Sequence, residues 1–277
     1  MSIITELKKL IDESDAIVIG AGAGLSTAAG FEYGGQTFLN NFQYMQDLYG
    51  YNDMYSAGFH KFSSLEEKWG YWSKMIYLNR YKFPSKQLYV DLLSLIKNKK
   101  YFVITTNVDH QFQLAGFDKK RLFYMQGDYG LFQCSRACHN RTYDNREIIM
   151  KMLKEQKNHL IPSSLIPRCP ICKSPMETNL RKDQYFVEDE GWHNAYQNYQ
   201  KFISENKNKK VLYLELGVGY STPTWIKYPF ILNTYKNIHA HYAVIDKGYS
   251  FVPDEIKSRS LVLNTSIEIV IDKLKKI

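Results

Sequence analysis

DAIVIGAGAGLSTAAG, residues 15–30, is the stretch on which the reading of the whole chain turns. Ala16, Ile17, Val18 and Ile19 make a short apolar run of the kind that forms a buried strand, and it leads straight into glycines at 20, 22 and 24. Glycine admits positive φ and lets phosphate oxygens approach backbone amides closely. Ser26 and Thr27 then read as the cap of a helix starting near Ala28, whose unpaired N–H groups and positive dipole end would face a pyrophosphate. The regular fingerprint G-x-G-x-x-G is met only loosely, because Leu25 stands three residues after Gly22 and Thr27 three after Gly24. The same glycines also suit an ordinary strand-to-helix turn of an α/β protein, and the loop alone does not separate the two.

Outward from this loop, short apolar runs alternate with amphipathic stretches, as in a parallel sheet layered with helices. The spacing predicts a helix over 4–11, strands over 101–105, 121–124, 211–216, 241–245 and 261–263, and helices over 147–157, 191–205 and 267–274. Two more helices are expected to open on prolines, one with Pro84 in its first turn running to Lys97, the other over 222–236. Residues 31–83 hold no clear strand but many aromatics, among them Tyr44, Trp69, Tyr71 and Trp72, and read as a helical segment closing over a cofactor. Polar groups recur where strands end, at Thr106-Asn107-Val108-Asp109 and at Gln126-Gly127, and the carboxyl ends of parallel strands are where such sheets bind ligands. No internal repeat or low-complexity linker interrupts the pattern.

At 277 residues the chain can bury a large core. Its 36 Lys and Arg against 28 Asp and Glu give a net charge of +8, but the lysines fall in pairs such as Lys99-Lys100 and Lys119-Lys120 at element ends. That distribution is a solvated surface and not a nucleic-acid stripe, and the 15% aromatic content carries no RNA-binding motif. No apolar run approaches the roughly 18 residues that cross a bilayer, and MSIITELKKLIDES reads as an amphipathic helix and not a signal peptide, so a cytoplasmic chain is expected.

All four cysteines lie in one window, Cys134-x3-Cys138 and Cys169-x2-Cys172, thirty residues apart. Two thiol pairs at knuckle spacing suit a tetrahedral Zn2+ with sulfurs about 2.3 Å from the metal, and four thiolates leave no open position for a reacting water. The metal is therefore expected to be structural; four unrelated thiols are the competing account. His139 and His159 lie near enough in sequence to replace a ligand, although His139 is expected to be a bystander beside Cys138.

GAGLSTAAG at 22–30, Thr105-Thr106-Asn107-Val108-Asp109, Gln126-Gly127, the spaced cysteines, Gly217-Val218-Gly219 and Val244-Ile245-Asp246 follow one another in the order of the sirtuin signatures, and the chain resembles that NAD-dependent family over about residues 15–270. The resemblance implies a Rossmann-like parallel sheet with an inserted smaller domain carrying a zinc ribbon and a helical segment. In numbers, it implies a NAD-binding domain over 1–30, 84–127 and 185–277, a cofactor-covering segment over 31–83 and a zinc-ribbon insertion over 128–184. It implies NAD contacts at Gly22, Ala23, Gly24, Ser26, Thr27, Asn107, Asp109, Gly217, Gly219 and Asp246, with Asn107, Asp109 and Gln126 at the chemistry. Asp246 suits ribose hydroxyls and equally a turn before Lys247-Gly248. A hydride-transferring Rossmann enzyme would instead place an acidic residue after a second strand, roughly 20 residues past the glycines, where this chain has only Asp47 in helical surroundings.

The chain departs from the family in several places, among them Gly217-Val218-Gly219 for the usual Gly-Thr-Ser and Asp246 where the family has Asn-x-Glu. Phe31-Glu32-Tyr33-Gly34-Gly35 replaces the usual Ile-Pro-Asp-Phe-Arg loop, Thr106 replaces Gln, and Gln126 replaces the catalytic His. An amide cannot take up a proton near neutral pH, so deacylation should fall by about a hundredfold or more while ADP-ribose transfer survives. His110 is the neighbouring histidine, and it would compensate only if it turned toward the same pocket. This combination resembles the macrodomain-linked class M sirtuins. That implies a protein ADP-ribosyltransferase acting on a lipoylated carrier like glycine-cleavage protein H, in a setting of oxidative stress and with a macrodomain hydrolase as functional partner. A deacylase that tolerates Gln126 and a non-catalytic NAD-binding module are the alternatives.

Overall fold

Alternation within the central strands builds both faces of this protein's main sheet. The chain is described by a computed structural model for residues 2–220, 223–248 and 250–277. Strands β1 (Ala16–Ala21), β2 (Tyr101–Thr105), β3 (Leu122–Tyr124), β7 (Val211–Leu216), β8 (His241–Asp246) and β9 (Ser260–Asn264) form one parallel sheet in the order β3-β2-β1-β7-β8-β9. β4 (Gly127–Cys134), β5 (Tyr143–Asp144) and β6 (Met176–Leu180) form a separate antiparallel sheet in the order β5-β4-β6. The order of the large sheet reverses between β1 and β7, which makes the carboxyl ends of these two strands its switch point.

Side chains at alternate positions of a strand point to opposite faces. Ile17, Ile19, Val103, Leu212 and Leu214 join Leu7, Ile11, Leu92, Ile96, Val270 and Ile271 in one core. Val18, Phe102, Tyr213 and Val244 join Phe202, Ile226 and Phe230 in the other. The helices Ile3–Glu13, Gln87–Ile96 and Ile267–Leu274 thus cover one face, while Glu190–Asn206 and Lys227–Lys236 cover the other. Burying each large aliphatic side chain stabilises this arrangement by about 1.5–3 kcal/mol.

The chain divides into two compact units. The first, residues 1–30, 85–126 and 190–277, is the three-layer body just described. The second, residues 31–84 and 127–189, contains the helices Gly35–Tyr49, Met54–Ala57, Leu65–Ile76 and Arg146–Glu155, a π-helical turn Tyr77–Tyr81, and the small sheet. Its aromatics serve as core: Phe38, Phe42, Trp69 and Tyr71 are fully buried, with Trp69 edge-on to Phe132 at 5.0 Å. Within this unit Arg80 donates through Nε to Asp128 at 2.9 Å, a nearly buried ion pair.

Three helix starts differ from the sequence expectation. The helix after β1 is Ala23–Ala28, so Ser26 and Thr27 lie inside it and Gly22 occupies the cap position without a side-chain bond. It begins early because Gly24 N–H and Leu25 N–H are tied to Gly217 and Gly22 carbonyls, closing the turn by backbone alone. Pro84 precedes its helix, which starts at Gln87; the Lys86 amide at the cap donates to Gln111 Oε1 at 2.8 Å instead of lying in a first turn. The helix expected over 222–236 is Lys227–Lys236, because 223–226 turn and bury Ile226 beneath Phe230; Thr222 lies outside the described residues.

Candidate functional site

At the switch point, backbone packs on backbone. Gly22 N–H donates to Leu216 O, Gly24 N–H to Gly217 O, and Gly217 N–H to Ile245 O, lacing the ends of β1, β7 and β8 together. A Cβ on Gly22 would lie 2.6 Å from the Gly217 oxygen, and Gly217 itself has a φ of 60°. Glycine at these positions is thus demanded by loop-to-loop approach as well as by any phosphate. Ala23, as the first helical residue, carries an N–H that its own helix cannot pair.

Next to the glycine turn lies a buried polar cluster contributed by three segments of the first unit. Ser26 Oγ donates to Asp109 Oδ2 at 2.5 Å and lies 3.2 Å from the Tyr89 hydroxyl. Asn107 Nδ2 donates to the Tyr89 oxygen at 3.4 Å, and the Asn107 amide donates to Thr105 Oγ1 at 3.0 Å. Asp109 Oδ1 accepts from Gln111 N, so the carboxylate also caps the next short helix. Ser26, Asn107 and Asp109 are all buried, and Tyr89 is completely so. Burial, with Asp109 adding to it, drives the Tyr89 hydroxyl well above its ordinary range, so it keeps its proton. The sequence points to Ser26, Asn107 and Asp109; Tyr89 it does not single out, because in the run Leu88 to Ile96 it looks like one more core position.

The remaining expected residues are more dispersed. Gln126 follows β3, is half-buried, and succeeds Met125, whose amide donates to Thr105 O and whose carbonyl accepts from Trp192 Nε1. Thr27 is exposed, its hydroxyl spent on Ala23 O. Gly219 is exposed with open space around a built Cβ. Asp246 ends β8 and accepts from Gly248 N at 2.7 Å, so it does close a turn. His110 sits at a φ of 67° at the start of the helix Gln111–Leu114, half-buried.

Beneath the β7 and β8 ends, Lys227 Nζ donates to Glu215 Oε1, and Tyr242 donates to Glu215 Oε2 at 2.7 Å. Glu215 and Tyr242 are fully buried and Lys227 nearly so. Burial raises the Glu215 carboxyl above its ordinary range in spite of Lys227 and Tyr242. Lys227 Nζ also lies 5.0 Å from the Tyr220 ring, and the Tyr220 hydroxyl accepts from Phe251 N at 3.2 Å, which links the two loops above the pair.

The four cysteines come together in the second unit. Their Sγ atoms lie within 4.8 Å of one another, with Cys134 to Cys172 at 3.5 Å and Cys138 to Cys169 at 3.7 Å. A tetrahedron with bonds of about 2.3 Å has edges of about 3.8 Å, so the cluster fits a structural zinc. Cys134 closes β4; Cys169 N–H donates to Ser174 O and Lys173 N–H back to Cys169 O, forming the second knuckle. The Ser174 hydroxyl and amide hold the Cys172 thiol down at about 6, whereas desolvation and the other sulfurs push Cys138 up to about 12. A cation lets all four ionise together. His139 touches the rim, its Nδ1 3.0 Å from Cys138 Sγ and its Nε2 2.8 Å from Tyr143 Oη, while His159 is exposed, stacks on Tyr44 at 3.7 Å and takes no part in the cluster.

No family model matches the chain. It is 43% identical over 266 residues, 96% of its length and 84% of the other's, to the protein ADP-ribosyltransferase of Staphylococcus aureus. It is 30% identical over 236 residues to a protein of Fusarium oxysporum f. sp. cubense named "Probable bifunctional ADP-ribose hydrolase/ADP-ribosyltransferase", covering 80% of this chain and 38% of that one. Among solved structures, a sirtuin from work on substrate affinity matches with a TM-score of 0.64 at 20% identity over 100% of this chain and 99% of that one. Sir2 solved with a p53 peptide and NAD+ matches at 0.60 and 20% identity, over 100% and 98%. Sir2Tm bound to a propionylated peptide matches at 0.64 and 20%, over 99% and 97%.

Proposed function

The chain belongs to the sirtuin family, and from that premise we propose that it breaks the nicotinamide–ribose bond of NAD and transfers ADP-ribose to a protein. The observation that carries transfer over deacylation is Gln126, an amide where a deacylating site needs a proton acceptor. The transferase name of the 43% identical relative supports the same choice.

NAD supplies an activated glycosidic bond, and the residues present suit it. Gly22, Ala23, Gly24, Gly217 and Gly219 would line the pyrophosphate side, with the Ala23 N–H aimed from a helix start. Ser26 and Thr27 would continue that site within the helix that starts at Ala23, and Asp246 would accept from ribose hydroxyls. Asn107 and Asp109 would hold the nicotinamide-side ribose, and Gln126 would hydrogen-bond it without removing a proton. Residues 1–30, 84–127 and 185–277 form the NAD-binding part of this proposal, residues 31–83 its cover and 128–184 the zinc ribbon.

For the acceptor we propose a lipoylated carrier protein, which rests on the class M resemblance. The fungal relative, named for a hydrolase joined to the transferase, supports a macrodomain-type partner that removes the same modification. Among the described residues no helix is long and apolar enough to cross a membrane, and four cysteines gathered for a metal suit the cytoplasm we propose.

The test is one reaction mix of protein, NAD, lipoylated carrier and an acetyl-lysine peptide, followed by mass spectrometry. Carrier-linked ADP-ribose with free nicotinamide and an intact peptide is the expected result. Rapid loss of acetyl groups with no protein-linked ADP-ribose would overturn the transferase reading in favour of a deacylase.

A further inference from the structure

Hydrogen-bond direction within the buried cluster is determined by its ends. A carboxylate accepts, so Ser26 Oγ–H is committed to Asp109 Oδ2. The Tyr89 hydroxyl must then donate across the 3.2 Å to Ser26 Oγ, and its oxygen accepts from Asn107, whose Nδ2 can only donate. The chain of donors runs Asn107, Tyr89, Ser26, Asp109, each link inside the first unit. An Asn amide is otherwise free to present either end, since its O and N are nearly equal in size.

We propose that Tyr89 is a positioning residue that fixes the Asn107 amide, so that Nδ2 faces inward and Oδ1 is presented as an acceptor to the NAD ribose. The proposal rests on the NAD-cleaving reading above. Asp109 thereby gains a second role, because its negative charge sets the polarity of the whole series of donors. An inward Nδ2 turns Oδ1 away from Tyr89, and a fixed acceptor costs no reorganisation when positive charge develops on the sugar. Thr105 Oγ1 holds the Asn107 backbone, so the side-chain amide is the part left for Tyr89 to set. Because the Tyr89 ring is fully buried and edge-on to Phe112 at 4.9 Å, the ring itself is held in place and only the hydroxyl carries this role.

Tyr89→Phe keeps the ring and removes the hydroxyl. NAD affinity measured by calorimetry should stay within about threefold of the parent, whereas the rate of nicotinamide release at saturating NAD should fall about tenfold, the size of one lost hydrogen bond. In an Asn107→Ala background the same change should cost nothing further, since Tyr89 acts through Asn107. A parental release rate in Tyr89→Phe, or a full additional fall in the Asn107→Ala background, would overturn the proposal. A second readout does not depend on turnover: the Asn107 side-chain NH2 signal, identified by its absence in Asn107→Ala, should be protected from solvent exchange in the parent and unprotected in Tyr89→Phe. Equal exchange in both proteins overturns the positioning role, while a parent that releases no nicotinamide overturns the NAD-cleaving reading instead.

Discussion

Gly24 and Gly217 meet backbone to backbone, the Gly24 N–H donating to the Gly217 carbonyl at 2.9 Å. A Cβ on Gly24 would come to 2.6 Å from the Gly217 Cα, and Gly217 holds a φ of 60°. Gly217→Ala therefore adds left-handed strain of about 1–2 kcal/mol to an unavoidable clash. The expected result is a melting temperature lower by several degrees and weakened NAD binding. Gly219→Ala, with open space around its Cβ, should stay within about 0.5 kcal/mol of the parent. Equal melting curves for the two variants would show that the loop contact is not tight.

Cys134 and Cys169 are buried while Cys138 and Cys172 are exposed, yet all four sulfurs converge. Replacing any one with serine should release the zinc and unfold the second unit's knuckles, since metal-binding free energy is folding free energy in such sites. Metal analysis and circular dichroism of Cys134→Ser and Cys172→Ser check this. A parent that purifies without zinc, or a Cys172→Ser variant as stable as the parent, contradicts it.

In the proposed function Gln126 would offer an amide to the ribose but no base. Gln126→Ala should lower carrier labelling roughly tenfold by loss of a polar contact, and Asn107→Ala should lower it further by loss of alignment at the sugar carbon. Gln126→His is expected to introduce measurable deacetylation of an acetyl-lysine peptide. Mass spectrometry of both products in each variant decides it.

The large sheet is legible in the sequence because its strands are buried on both faces, and a run such as Val211 to Leu216 has few other uses. The small sheet is not: β4 reads GDYGLFQC, with two glycines, a buried Asp128 and a register shift between Gly127 and Phe132 that erase any alternation. At the site, Ser26, Asn107 and Asp109 are legible because they lie just past strand ends, where parallel sheets bind ligands, and fall in the ordered signatures of the family. Tyr89 and the Glu215–Lys227 pair do not, because a tyrosine in an apolar helix and a glutamate inside VLYLEL reveal their partners only when distant segments meet. A charge in the middle of a buried strand is the available signal for Glu215. The early start of the helix at Ala23 escapes a sequence reading because Ser26 and Thr27 are preferred caps, whereas here tertiary hydrogen bonds decide the turn.

His159 stacks on Tyr44, and burial together with the Lys74 charge lowers its proton affinity below the ordinary 6.5. The unfolded chain then binds more protons than the native one between 6.5 and the lowered native value, so stability is complete above 6.5 and declines as pH falls through that range. His241, lowered by burial and Arg259, acts in the same direction. His159→Asn, chosen because asparagine tolerates the φ of 65° at this position, should remove part of the decline. Urea midpoints of both proteins at about pH 7.5 and about pH 5.5 measure it; an equal loss in both would assign the acid sensitivity elsewhere.

Lys227 is the counter-ion of a carboxylate that has no access to water. Glu215 is completely buried, takes Lys227 on one oxygen and the Tyr242 hydroxyl on the other, and has its proton affinity raised by burial. Lys227→Met keeps most of the side-chain volume and strands that carboxylate, a change that costs about 3–5 kcal/mol in comparable buried pairs. The native state then binds a proton more tightly than the unfolded chain does, so the variant should regain stability as pH falls from neutrality toward 4.5, the reverse of the His159 effect. Lys227→Met combined with Glu215→Gln, which removes the charge itself, should recover most of the loss at neutral pH and show no such upturn. Urea unfolding of the three proteins from about pH 5 to about pH 8 gives both comparisons. A Lys227→Met variant within about 1 kcal/mol of the parent at neutral pH, or a double variant no better than the single one, would mean that Glu215 is already neutral in the native protein and that the pair is a hydrogen bond and not a salt bridge.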